Sequence, residues 1–332
     1  MSVRAQAPVR IDFAGGWSDV PEFANREGGA VMNAAIAPGT EVECLMGGDR
    51  IRLHSDDLGE HVTLASPTAI RYDGRLDLHK AALNMLPVGG GIEITSRSGV
   101  PPGSGLGASA SLDVALVAAL ARCRQDLEYD APDLAELGFH LEAEELGLSG
   151  GRQDQYAAAL GGFLYLQFRR DGVEVERLPV SRAQAEDLAR HLVLVYTGQT
   201  HFSSATHDRV WGAYRRSDPD VSRAIATMRE LAGEAAHAVR AGDWSALASV
   251  VDRNWTEQQR LDATMSTEGT KRIERAARAA GALGLKATGA GAGGCIAIFA
   301  RPDQRDDVGR SCELEGGRVL AWNWDAAGVR VW

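Results

Sequence analysis

The run Gly99-Val100-Pro101-Pro102-Gly103-Ser104-Gly105-Leu106-Gly107-Ala108-Ser109-Ala110-Ser111 leads without a break into the apolar stretch from Leu112 to Ala121. No other part of the chain restricts the fold so tightly. Glycines at 103, 105 and 107 allow a tight turn with positive φ and a close approach by a neighbouring group. The Ala-, Val- and Leu-rich run behind them predicts a buried helix whose first N–H groups have no partner within the helix and face the turn. Loop amides and the positive end of the helix dipole then point at one spot, which suits a phosphate. The expected cradle comprises Pro102, Gly103, Ser104, Gly105, Leu106, Gly107, Ala108 and Ser109.

Such a site has to be local. The formal net charge is -10 and the pI near 5.3, which disfavours a general nucleic-acid or anionic-membrane surface, so no nucleic-acid partner is expected. A G-x-x-x-x-G-K-[ST] segment is absent, so the cradle is not a Walker-type loop. With 332 residues the chain has room for two domains. Cys44, Cys123, Cys295 and Cys312 show no C-x-x-C spacing, and the first residues lack a signal-peptide pattern. No apolar run reaches the roughly 18 residues of a membrane span. The expectation is a cytoplasmic protein with reduced thiols.

Residues 3–70 predict strands at Val3–Phe13, Ala30–Ile36, Glu41–Met46, Ile51–His54 and His61–Leu64, read most simply as an antiparallel sheet. A helix is expected over Leu76–Leu86, then a strand over Gly91–Ser96. The next helix starts near Pro132 and runs through Leu134, Leu137, Leu141 and Leu146. Phe163–Arg169 and Val173–Leu178 flank Asp171-Gly172, a hairpin signal. Beyond a boundary near Ser181 come a helix over Ser181–His191, a buried strand over Leu192–Thr197, and helices at about 218–240, 243–263 and 267–282. Residues 303–315 read as helical, with Arg318–Trp322 and Val329–Trp332 finishing the sheet. Two formal motifs fail on context. Gly147-Leu148-Ser149-Gly150-Gly151 matches G-x-S-x-G but follows a helix, where a hydrolase elbow follows a strand. Gly289, Gly291 and Gly294 match G-x-G-x-x-G, but the strand-like Ile296–Ala300 comes next, where a dinucleotide fold needs a helix.

Four segments together resemble the signatures of the GHMP small-molecule kinases. The first is Pro8-Val9-Arg10-Ile11-Asp12-Phe13-Ala14-Gly15-Gly16-Trp17-Ser18-Asp19, the second the glycine loop Pro101–Ser111, the third Gly150-Gly151-Arg152-Gln153-Asp154-Gln155-Tyr156, and the fourth Lys286-Ala287-Thr288-Gly289-Ala290-Gly291-Ala292-Gly293-Gly294-Cys295. Gly16-Trp17 replaces the Glu-His of galactokinases. The first segment is instead similar to the bacterial branch containing heptose 7-phosphate kinases and fucokinase domains.

The resemblance implies an α+β fold in two domains, an N-terminal ribosomal protein S5 domain 2-like unit over 1–180 and a C-terminal ferredoxin-like unit over 181–332. It implies ATP and Mg²⁺, and transfer of the γ-phosphoryl group to the anomeric C1 hydroxyl of a sugar or sugar phosphate. The first substrate reading is heptose 7-phosphate. A non-phosphorylated sugar, as for an L-fucokinase, and a regulator that binds ATP and sugar without turnover are the alternatives. By the same match Asp154 is the base and Arg10 lies near the reacting hydroxyl. Ser109 and Glu142 bind the metal, with Glu144 or Glu145 as the alternative carboxylate. Asp19, Gly16, Trp17, Gly151, Arg152, Thr197, His201 and Gly291 line the sugar site, His201 standing where this branch carries an Arg. The implied assembly is a monomer or homodimer.

Overall fold

The structure is a computed structural model that describes residues 1–126, 128–199 and 204–332. Its first strand, β1 (Ser2–Ala14), changes character along its length. Burial alternates from Ser2 to Ala7, as on a strand with one solvated face, and is unbroken from Ala7 onward. Val3, Ala5 and Ala7 belong to the core of the first unit, whereas Val9, Ile11 and Phe13 pack into a core shared with the second. A register shift between Ala7 and Val9 separates the two halves.

The first unit continues with α1 (Pro21–Glu27), β2 (Gly29–Met46), β3 (Ile51–Ser55), β4 (Glu60–Leu64), α2 (Asp77–Met85), β5 (Ile92–Ser98), α3 (Ala108–Arg124), α4 (Ala131–His140), α5 (Gln153–Leu160), β6 (Phe163–Arg169) and β7 (Gly172–Arg177). The second holds α6 (Arg182–His191), β8 (Leu192–Tyr196), α7 (Ser204–Arg215), α8 (Pro219–Ala241), α9 (Trp244–Leu261), α10 (Glu268–Ala279), β9 (Gly284–Ala287), β10 (Cys295–Phe299), α11 (Arg305–Leu314) and β11 (Arg318–Val319). Two short strands close the chain, β12 (Asn323–Trp324) and β13 (Arg330–Val331).

The larger sheet runs β13-β1-β2-β5-β3-β4, with β6 and β12 also paired to β2 and β7 to β6. Its pairings are antiparallel except β3 with β5, which is parallel and departs from the all-antiparallel expectation. The expected strands 30–36 and 41–46 are one continuous strand, β2. The reason is a close approach that only glycine permits: a Cβ on Gly39 would lie 1.9 Å from the carbonyl oxygen of Ala7, so the chain passes through Pro38-Gly39 without leaving β1. The smaller sheet, β11-β8-β10-β9, is antiparallel.

Helix α3 is buried around nearly its whole circumference, as its apolar composition requires. Several helices of the second unit begin at side-chain caps: Ser181 accepts from the Gln184 amide, Asp218 from Asp220 and Val221, and Asp243 from Ala246. Phe13 is fully buried and tilts against Phe299 of β10 at 6.0 Å, joining the two sheets. Truncating Phe13 to Ala would cost about 3–5 kcal/mol.

The sheet pairing crosses the expected boundary at the chain's end. Arg318–Val319 joins the smaller sheet, but β12 pairs with Ile36 and Ala37 of β2, and β13 pairs with Ala5 and Gln6 of β1. Residues 323–331 therefore return to the first unit's sheet. Among the described residues no helix is long and apolar enough to cross a membrane.

Candidate active site

The glycine loop behaves as its residues require. Gly103, Gly105 and Gly107 have φ of +67°, +71° and +79°. Gly107 is the N-cap of α3 and no side chain caps the helix, so its terminal amides remain for a ligand in the cleft. The loop interlocks with Thr288–Cys295 backbone to backbone. A Cβ on Gly105 would lie 2.5 Å from the Thr288 oxygen, one on Gly289 2.7 Å from the Gly105 oxygen, and one on Gly294 2.6 Å from the Ser104 oxygen. The Cys295 amide donates to Ser104 O at 2.7 Å, which fixes the contact.

A cleft of about 490 Å³ opens between these loops and the first turn, within the range of small-ligand sites. Of the expected cradle, Gly103, Ser104, Gly105, Gly107, Ala108 and Ser109 line it. Pro102 and Leu106 do not. Pro102 is exposed, and Leu106 is a core residue whose side chain points inward while its carbonyl accepts from the Arg10 amide at 2.9 Å.

Arg10 and Asp154 meet at the floor. Arg10 Nε donates to Asp154 Oδ1 and Arg10 Nη2 to Oδ2, both at 2.7 Å, and Nη1 donates to Gly105 O at 2.5 Å. The Arg10 side chain is 4% exposed and that of Asp154 25%, so the carboxylate is the member that faces the cleft. Asp154 sits in the first turn of α5, yet its side chain turns to Arg10 and caps nothing. A Cβ on Gly107 would come within 3.0 Å of Asp154 Oδ2, which places the carboxylate against the phosphate loop.

Asp19 ends the first turn. Trp17 holds φ of +78° there, and Ser18 Oγ lies 2.7 Å from Gly15 O and 2.9 Å from Ala30 O. Asp19 is buried, and its Oδ2 accepts from the Gln153 amide at 3.1 Å. Burial pushes its carboxyl up to about 7; the Gln153 amide opposes this, while the charges of Asp154 and Asp12 add to it. Gly151 is required beside it, since a Cβ would lie 1.8 Å from Asp19 Oδ2.

Trp17 stacks on His207 of α7 with centroids 4.5 Å apart and an angle of 27°. Both rings line the cleft, and among the described residues Trp17 Nε1 and His207 Nδ1 find no hydrogen-bond partner although both are buried. Burial pushes His207 down to about 4, so the wall it forms is neutral. Nothing local in the sequence marks His207; the fold alone brings α7 to the first turn.

Ser109 Oγ donates to Glu142 Oε1, and Gln155 Nε2 donates to Glu142 Oε2 at 2.8 Å. The three glutamates separate here. Glu144 pairs with His140 and Glu145 takes hydrogen bonds from Asn84 and Tyr72, whereas Glu142 alone of the three lines the cleft. The expected uninterrupted helix gives way to a π-type turn over Leu141–Glu145, which turns Glu142 toward Ser109. Burial raises the Glu142 carboxyl above its ordinary range, with Asp154 adding, and Asp113 behind it is raised well above by burial and by Glu142.

Gly16 and Gly291 line the cleft as expected, but Arg152 and Thr197 do not. The Arg152 guanidinium lies over the Phe139 ring at 4.6 Å, with Nε 3.9 Å from Glu136, so it is held by an aromatic face and a carboxylate of α4 that do not line the cleft. Thr197 is buried at the end of β8, where its amide donates to Gly294 O at 2.9 Å, so it supports the fourth signature from behind. His201 lies outside the described residues.

Residues 76–162 match the family model described as the GHMP kinases N terminal domain, and residues 235–316 that of the GHMP kinases C terminal. The chain is 28% identical over 340 residues to a D-glycero-alpha-D-manno-heptose 7-phosphate kinase of Campylobacter jejuni, covering 100% of this chain and 99% of that one. It is 27% identical over 345 residues to the bifunctional fucokinase/GDP-fucose pyrophosphorylase of Arabidopsis thaliana, covering 97% of this chain and 32% of that protein. The crystal structure of a D-glycero-D-manno-heptose 1-phosphate kinase from Bacteroides thetaiotaomicron superposes with a TM-score of 0.80 at 26% identity, covering 99% of this chain and 98% of that one.

Proposed function

This chain belongs to the GHMP kinases, and from that premise we propose that it transfers the γ-phosphoryl group of ATP to the anomeric C1 hydroxyl of a sugar, with D-glycero-D-manno-heptose 7-phosphate the first substrate. The observation that carries the reading is the Arg10–Asp154 pair, seated between the uncapped end of α3 and the Asp19 turn. Phosphates lie on the loop amides, the sugar lies against Asp19 and the Trp17–His207 stack, and Asp154 lies between them. The C1 hydroxyl oxygen attacks phosphorus as its proton passes to the Asp154 carboxylate, the bond to the β-phosphate oxygen breaks, and ADP leaves. C1 suits a carboxylate base, because the anomeric hydroxyl is the most acidic one on a reducing sugar. Arg10 holds the carboxylate in register and offers positive charge to the transferring group.

The residues also fit Mg²⁺. Among the described residues the partners of the Glu142 carboxylate are neutral donors and other carboxylates, with no cation beside it. Ser109 and Glu142 would hold the ion, with nucleotide phosphates and waters completing its shell, since Mg²⁺ takes few protein ligands. When bound, Mg²⁺ neutralises charge on the phosphate oxygens.

A second reading is favoured by the turn of Arg152 away from the cleft. Among the described residues that line it, Arg10 is the one cationic side chain, and it is committed to Asp154. A 7-phosphate then depends on His201, whereas a neutral sugar, as for a fucokinase, needs no cation at all. The test is ADP release from ATP and Mg²⁺ with heptose 7-phosphate, free heptose, L-fucose and mannose. Preference for heptose 7-phosphate supports the first reading, preference for a free sugar the second, and no turnover with any of them opposes both.

A further inference from the structure

A buried ion pair lies beneath the site. Lys286 Nζ is 2.6 Å from Asp12 Oδ2, and the two side chains are 0% and 1% exposed. Asp12 stands two residues after Arg10 on β1, so both leave the strand on the same side. Lys286 lies on β9, in the other sheet, three residues before Gly289. The pair therefore ties the strand of Arg10 to the strand that delivers the fourth signature to the glycine loop.

Its surroundings belong to the same machinery. A Cβ on Gly16 would lie 2.3 Å from Asp12 Oδ2 and 3.0 Å from Gln153 Nε2, so the first turn and the residue before Asp154 close over the pair. Arg10 and Asp19 are the other charges that act on Lys286. Among the described residues Asp12 Oδ1 and Gln153 Oε1 are buried without partners, so this nest is not built for maximal stability. A buried ion pair is in general no more stabilising than an apolar pair of the same volume, and its retention asks for another reason.

We propose that Lys286 and Asp12 are positioning residues: their opposite charges hold the two glycine loops in the register that the phosphates and Asp154 require. The proposal rests on the kinase reading for its turnover measurement but not for its binding measurement. The test compares Lys286→Met, Asp12→Asn, Lys286→Arg and the double variant Asp12→Asn/Lys286→Met. Each is followed by thermal unfolding, by calorimetric titration with ADP and Mg²⁺, and by kcat on whichever sugar the wild type phosphorylates.

Either single charge removal should lower the unfolding temperature, because it strands the partner charge. The double variant should recover that stability, yet still lose about tenfold or more in ADP affinity or in kcat, the scale of a misplaced catalytic group. Lys286→Arg should retain more activity than Lys286→Met. A double variant with wild-type stability, ADP affinity and kcat would overturn the proposal and leave the pair a packing feature. Should Lys286→Met fail to fold, the double variant still decides. If the wild type phosphorylates no sugar, the kinase reading fails on its own and the ADP titration still judges the pair.

Discussion

Arg10 grips Asp154 at both carboxylate oxygens, 2.7 Å each, across 144 residues of chain, and at the same time holds the glycine loop through Gly105 O. A two-pronged contact fixes the plane of the carboxylate as well as its position. Asp154 is the more exposed partner. One guanidinium thus ties the candidate base to the candidate phosphate cradle.

If Asp154 accepts the sugar proton, Asp154→Asn keeps the size of the group and removes the basic oxygen. The expected loss in kcat is about 10²-fold or more, with ATP affinity retained. ADP release and nucleotide calorimetry on one preparation check this; a variant that keeps most of its kcat contradicts it.

Gly105 and Gly107 both sit at positive φ, and an added Cβ would lie 2.5 Å from the Thr288 backbone oxygen at Gly105 and 3.0 Å from Asp154 Oδ2 at Gly107. Gly105→Val and Gly107→Val should abolish nucleotide binding. Circular dichroism melts separate that loss from unfolding. A folded variant with unchanged ATP affinity would place the phosphates elsewhere.

The separation of the three glutamates is directly testable. Glu142→Gln should raise the Mg²⁺ concentration needed for half-maximal activity, while Glu144→Gln and Glu145→Gln should not, because those two are engaged outside the cleft. Mg²⁺ titrations of initial rate decide it, and equal effects at all three positions would remove the special role of Glu142.

Asp19 makes stability depend on pH. Its carboxyl is raised from 3.8 to about 7, so between those values the folded chain binds the proton that the unfolded chain has released. Stability from this group is full below 3.8 and falls as pH rises through about 7. The loss amounts to at most roughly 4 kcal/mol. Asp19→Asn removes that slope, so the variant should gain stability relative to the wild type as pH rises across the window, while binding sugar more weakly. Urea unfolding at a series of pH values measures the difference; a difference independent of pH contradicts it.

Much of this site is legible in the sequence because glycine's use is local. Gly105, Gly107, Gly151 and Gly291 mark places where a side chain cannot fit or where φ is positive, and these constraints show in one short segment at a time. Helix starts are legible for the same reason, as Ser181 and Asp218 cap within three residues. What depends on distant partners is not legible. The continuity of β2 rests on Gly39 meeting Ala7, the return of β13 on a pairing with β1, and the direction of Arg152 on the ring of Phe139. Leu106 sits inside the glycine motif yet serves the core, and His207 carries no motif at all.

The measurement that bears most directly on the account is ³¹P NMR of the product formed from ATP, Mg²⁺ and D-glycero-D-manno-heptose 7-phosphate. The 7-phosphate signal should persist and a second phosphate resonance should appear, coupled to the anomeric proton. A new phosphate on any carbon other than C1, or no new phosphate on this sugar while a non-phosphorylated one is converted, would contradict it.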